Sequence, residues 1–180
     1  MRNLALSITA LFILQSCVVS TAAKAVTTVA KVGVGVVKGT VKGIGWAVGK
    51  AKGKIDEDKV DGKWKLVGIY KGNYESFAND KNPEIAYTSE CVDQFDLIEF
   101  NSKKSKFRPI HCNTSKEDWI KYKMQYGKNP QNKERENYIE YNSNSYISVI
   151  DATNKTMVLE GNLINNSNYY GTNLFLFEKK

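Results

Sequence analysis

The first 55 residues contain no aspartate or glutamate. Arg2 and Lys24, Lys31, Lys38, Lys42, Lys50, Lys52 and Lys54 stand there unopposed. Residues 56–180 hold the other 18 basic residues and all 19 acidic ones, a net of −1. The +7 of the whole chain therefore belongs to one end of it, which points to an anionic membrane surface rather than to nucleic acid. Histidine is almost missing, with His111 alone. A multi-histidine metal centre is excluded, and any imidazole chemistry would fall on that one ring. No glycine-rich phosphate loop follows a strand pattern, and no Gly-x-Ser-x-Gly elbow is present. Apolar runs stay well short of the roughly twenty residues that a membrane-spanning helix needs. Cysteine is sparse, and its count of three is odd.

The longest apolar stretch is at the start. Arg2 precedes residues 4–14, in which Ser7 and Thr9 are the only polar side chains, and Ser16-Cys17 follows. A charged start, a short apolar core and a small-residue cleavage position are the parts of a secretory signal peptide. Leu14-Gln15-Ser16-Cys17 resembles the lipobox of bacterial lipoprotein precursors. The resemblance implies cleavage before Cys17 and acylation of that residue. With Val18 rather than Asp after the cysteine, it also implies delivery to the outer membrane, facing the periplasm. The alternative is a plain signal peptide with an incidental cysteine. If Cys17 is acylated, Cys91 and Cys112 remain, and an exported chain is expected to join them. Such a bridge would close a loop of about 20 residues, worth on the order of 3 kcal/mol. Two free buried thiols are the competing reading.

Residues 17–58 form a second segment, rich in Val, Ala, Gly and Lys. At a helical step Lys24, Lys31, Lys38 and Lys42 share a narrow arc, opposite Val26, Val29, Val36, Val37, Val41, Ile44 and Val48. The expectation is a long amphipathic helix lying on the membrane with those lysines at the headgroups. Its valine face packing on the following domain is the alternative. Seven glycines between Gly33 and Gly53 oppose helix formation, at up to about 1 kcal/mol each. Their four-residue spacing (Gly35, Gly39, Gly43; Gly45, Gly49, Gly53) offers helix-mediated self-association.

Residues 59–180 read as β-structure. Eight short strand patterns occur: 62–70, 95–100, 106–110, 119–126, 138–141, 146–150, 157–163 and 173–179, separated by polar turns. On the first, alternation puts Trp64, Leu66, Gly68 and Tyr70 on one face. Residues 73–90 read as a lid or loop over one end. The expected fold is mainly β, a small antiparallel barrel of about eight strands. Gly62-Lys63-Trp64 on the opening strand, residues 91–101, and the closing strand 174–180 resemble lipocalin-like domains. That resemblance implies a closed barrel binding a small apolar ligand or envelope component. Many lipocalins stack an arginine on the opening tryptophan, whereas residues 137–180 contain none. A packed barrel acting as a protein-interaction module is the alternative.

Candidate binding residues are Trp64 and the loop pair Tyr169 and Tyr170. No cofactor, metal or catalytic group is expected. His111 and Cys112 are adjacent on a strand pattern, so alternation should send them to opposite faces. Asp93, Asp96, Glu99, Asp118 and Glu140 are expected to be solvated surface carboxylates.

Overall fold

The computed structural model describes residues 37–41, 44–85, 87–89, 96–112, 118–163 and 170–180, with side chains from Val48 onward. Val34–Lys180 make one compact unit. It opens with an antiparallel hairpin of β1 (Val37–Val41) and β2 (Ile44–Val48), in register from Val37 opposite Val48 to Val41 opposite Ile44. Residues 37–41 and 44–48, expected to be helical, are therefore strands. Val, Ile, Thr and Trp favour the extended chain, and each interspersed glycine penalises a helix. Lys38 lies on β1 rather than on a helical face, and the glycine-row packing of helices fails over these residues. The expectations for residues 18–36 and for Lys42 lie outside the described residues, as does the signal peptide.

Eight strands then form one antiparallel sheet that closes on itself. They are β3 (Gly62–Tyr70), β4 (Leu97–Asn101), β5 (Lys106–Ile110), β6 (Ile120–Lys128), β7 (Arg135–Tyr141), β8 (Ser145–Ala152), β9 (Thr156–Gly161) and β10 (Asn173–Lys179). Each pairs with its sequence neighbour, and β10 returns to pair with β3. Full closure leaves no sheet edge at that seam.

The interior is made of side chains. Trp64, Leu66, Ile98, Phe100, Phe107, Tyr122, Ile139, Ile147, Val149, Met157, Leu159, Phe175 and Phe177 are all buried in one cluster. Phe107 stacks on Phe100 at 5.5 Å and meets Tyr141 edge-on at 5.4 Å. Ile55 and Val60 belong to the same cluster, so the chain ahead of β3 caps the barrel end that carries the 102–105, 129–134 and 153–155 turns. Asn137, buried on β7, clamps that cap. Its Nδ2 donates to Gly53 O and its Oδ1 accepts from Ile55 N, each at 2.8 Å. Residues 48–58 thus pack with the barrel, and the boundary expected at 58/59 falls inside this unit.

A second apolar cluster lies on the outside of the wall. Val67, Tyr70, Ile150, Val158, Leu174 and Leu176 are covered there by Val48, Tyr74 and Phe77. Tyr74 and Phe77 come from α1 (Tyr74–Asn79), a short helix where a lid or loop was expected. Asn73 caps it by accepting from Ser76 N at 2.9 Å. At six residues it is too short to be stable alone, and its buried i, i+3 pair holds it in place.

The face expected of β3 is corrected by a bulge. The β3–β10 register slips between Leu176 and Phe177, leaving one extra residue around Val67. Trp64, Leu66 and Ile69 consequently face inward, while Val67 and Tyr70 face the outer cluster. A similar slip in β8 falls between Val149 and Asp151, and Ile150 O there accepts from Ala51 N at 2.8 Å.

Candidate binding surface

Cys17, Lys24, Lys31, Lys42, Cys91 and Tyr169 lie outside the described residues, and the side chain of Lys38 is not described. Of the residues singled out for binding, Tyr170 is 90 % exposed and offers an unobstructed ring. Trp64 does not, because it is fully buried. Its Nε1 donates to Val60 O at 2.7 Å, and Lys179 Nζ sits 4.3 Å from the ring centroid. The tryptophan is a core residue joining cap to barrel, with a lysine cation over its face. Burial lowers the Lys179 pKa, partly offset by Asp61. Gly62 is required beside it: its φ is +97°, and a Cβ there would lie 2.9 Å from Lys179 Nζ.

His111 and Cys112 come together despite the alternation expected of them. β5 ends at Ile110, and Cys112 takes a positive φ of 49°, so the rule for strands no longer applies. Asp96 Oδ1 is 2.6 Å from His111 Nδ1, and His111 Nε2 is 3.4 Å from Cys112 Sγ. This is the outline of a carboxylate–imidazole–thiol relay or of a three-ligand metal site. Cys112 is disulfide-bonded, to a partner outside the described residues. A disulfide sulfur carries no thiolate, which is the form that attacks or ligates.

A buried polar network holds the chain ahead of the barrel. Lys50 Nζ pairs with Glu134 and, at 2.8 Å, with Glu136. Glu136 Oε1 also accepts from Asn129 Nδ2 and Ser148 Oγ, both at 2.7 Å, and from Asn132 Nδ2 at 2.8 Å. Burial pushes the Glu136 carboxyl up, but Lys50, Ser148, Asn129 and Asn132 outweigh it and hold its pKa below the ordinary value. Glu160, which accepts from Tyr74 N at 2.7 Å, is raised by its burial. Among the described residues no buried side-chain polar atom of this network lacks a hydrogen-bond partner, so it reads as a latch rather than as a site of reaction.

The surface with recognition character lies on the outer face of β4, β5 and β6. Phe100, Phe107 and Ile120 point inward, so their strand neighbours point out. Asn101 lies opposite Lys106, which lies opposite Lys121. One step along, Glu99 lies opposite Arg108, whose guanidinium is 4.5 Å from the Trp119 ring centroid. Glu99 Oε2 accepts from Arg108 Nε at 2.9 Å and from Nη2 at 2.7 Å, fixing the guanidinium under the indole. The Asn101 side chain caps the turn Ser102–Lys104 by accepting from Lys104 N at 3.1 Å. Ser105 then takes the left-handed conformation and returns the chain into β5. Asn101, Lys104, Lys106 and Trp119 line a cleft of about 130 Å³. Trp119 is 37 % exposed and, with Tyr170, is a large hydrophobic group left open to solvent.

None of these residues was expected as a site. The sequence placed Trp119 at the head of a strand, but the rungs that join it to Arg108 and Lys106 depend on register. Comparisons with protein families, curated proteins and solved structures find no match for this chain.

Proposed function

We propose that this is a lipid-anchored protein of the bacterial envelope, whose lipocalin-like barrel serves as a non-enzymatic interaction module working through its outer surface. What carries the reading is the occupied interior. Trp64, Phe100, Phe107, Tyr122, Phe175 and Phe177 converge on one another, and Ile55 and Val60 cap one end. An eight-stranded ring is just wide enough to be filled by its own side chains. A carrier of apolar ligands needs several hundred Å³ of lined space instead. The lipocalin-like identity draws support from the β3–β10 closure and from Gly62-Lys63-Trp64. Lys179 covers Trp64 where many lipocalins place an arginine.

The anchor belongs to the same proposal. Acylated Cys17 supplies the anchor, and Lys24 and Lys31 follow it as basic residues that anionic headgroups attract. Cys91 is the partner proposed for Cys112, which leaves Cys17 for the lipid. A precursor carrying Cys17→Ala should lose palmitate labelling; continued labelling would refute the anchor. Native mass spectrometry of the full-length protein, extracted from the envelope in detergent, tests the barrel. The expected spectrum contains the acylated protein without an apolar adduct. A stoichiometric lipid beyond the anchor would identify a carrier instead.

A further inference from the structure

The geometry points to the Trp119 cleft as a binding site for a saccharide unit that carries a carboxylate or a phosphate. This rests on the outer-surface reading above and names its ligand class. Lys106 and Lys121 are directly opposed across β5 and β6, an arrangement of like charges that weakens a sheet. Lys104 lines the same cleft and adds a third basic side chain. Among the described residues no carboxylate ion-pairs with these three, whereas Arg108 beside them is neutralised by Glu99. The three lysines thus set up a local positive field with which no described carboxylate forms an ion pair.

The shape selects the partner. An indole held by the clamped Arg108 presents a flat apolar surface, and pyranose rings pack their C–H faces on such surfaces. Asn101, Lys104 and Lys106 border the indole, so the hydroxyl and acid groups of a sugar lying on it would fall among polar residues. A cleft of about 130 Å³ is too small for more than one ring. An acidic peptide would lack the C–H ring face that lies on an indole. A nucleic acid would want a long basic track, and this patch is confined to one cleft.

The test is calorimetric titration of the full-length protein in a sugar-free non-ionic detergent. Trigalacturonate stands for a free acidic polysaccharide and rough lipopolysaccharide for a phosphorylated glycolipid. Glucose 6-phosphate, maltotriose, inorganic phosphate, a hexaglutamate peptide and oligothymidylate are the controls. At least one of the two acidic saccharides should bind, and which one does so identifies the source. Binding should fall about tenfold or more in Trp119→Ala and in the Lys104→Gln/Lys106→Gln double variant. It should also weaken as salt rises. Because these side chains are at the surface, circular dichroism should show both variants folded. Several results would overturn the proposal: no saccharide binding, maltotriose binding as well as trigalacturonate, or inorganic phosphate matching glucose 6-phosphate. Preferential binding of the peptide or the oligonucleotide, or undiminished binding by both variants, would do the same. An apolar adduct in the mass spectrum would sink the filled-barrel reading while leaving this titration to stand or fall by itself.

Discussion

Glu136 shows how much of this structure depends on single side chains. Its carboxylate is buried, yet Lys50, Ser148, Asn129 and Asn132 keep it ionised. A group whose folded pKa is lowered stabilises the protein above its unfolded pKa and loses that contribution as pH falls through the folded value. Lys50→Met should therefore cost about 3 kcal/mol at neutral pH, because it leaves a buried carboxylate without its cation. The difference from the wild type should shrink below the ordinary carboxylate range near pH 4.5, where Glu136 takes up a proton. Denaturant unfolding at pH 7 and pH 3 measures both; an equal loss at the two values would remove Glu136 from the explanation. Tyr122 is the opposite case. Its hydroxyl is buried, and no atom among the described residues meets hydrogen-bond geometry with it. Burial first, and the nearby Glu57 second, push the phenol's pKa up. Tyr122→Phe should consequently raise stability by about 1 kcal/mol, since an unmet polar group costs more than an apolar one of the same shape. A loss of stability in a melting experiment would mean that the hydroxyl has a partner.

At the scale of elements, strands were legible and their company was not. Turn residues and β-branched or aromatic runs mark all eight barrel strands, although β3, β8 and β10 bury consecutive residues because their outer face is covered by Val48, Tyr74 and Phe77. The bulges near Val67 and Ile150 are invisible to alternation, and that is why Gly68 and Tyr70 were expected on the face of Trp64. Residues 37–48 illustrate a different failure. Valines at helical spacing also fit a strand, and a period counted over glycine-rich sequence does not decide between the two. α1 is shorter than any window in which a helical period can be counted, and its signature was the cap Asn73 three residues ahead of Ser76. Asn73→Ala should destabilise the protein by about 1 kcal/mol through loss of that cap. Hydrogen exchange should show the effect locally: faster exchange at Ser76 N and Phe77 N with the barrel amides unchanged. Uniform acceleration would mean that α1 and the barrel unfold together. The binding cleft was illegible for a reason of the same kind. Trp119, Arg108 and Lys106 are separated in sequence, and only the pairing of β5 with β6 puts them side by side.

For the whole molecule, the organising fact is that the chain ahead of the barrel is part of it. Ala51 bonds to β8, Gly53 and Ile55 bond to Asn137, and Val60 receives the Trp64 indole. A membrane anchor at Cys17 would then reach the barrel through a segment that seals one of its ends. Asn137→Ala should loosen that seal and cost about 2 kcal/mol, because it leaves the buried Ile55 amide unpaired and releases the Gly53 carbonyl. Fluorescence titration with cis-parinaric acid shows whether the wild-type interior is full. The full-length protein, freed of detergent into phosphatidylcholine nanodiscs, should show no saturable increase above that of empty nanodiscs. A saturable one-to-one signal, displaced by an unlabelled fatty acid, would contradict a full interior.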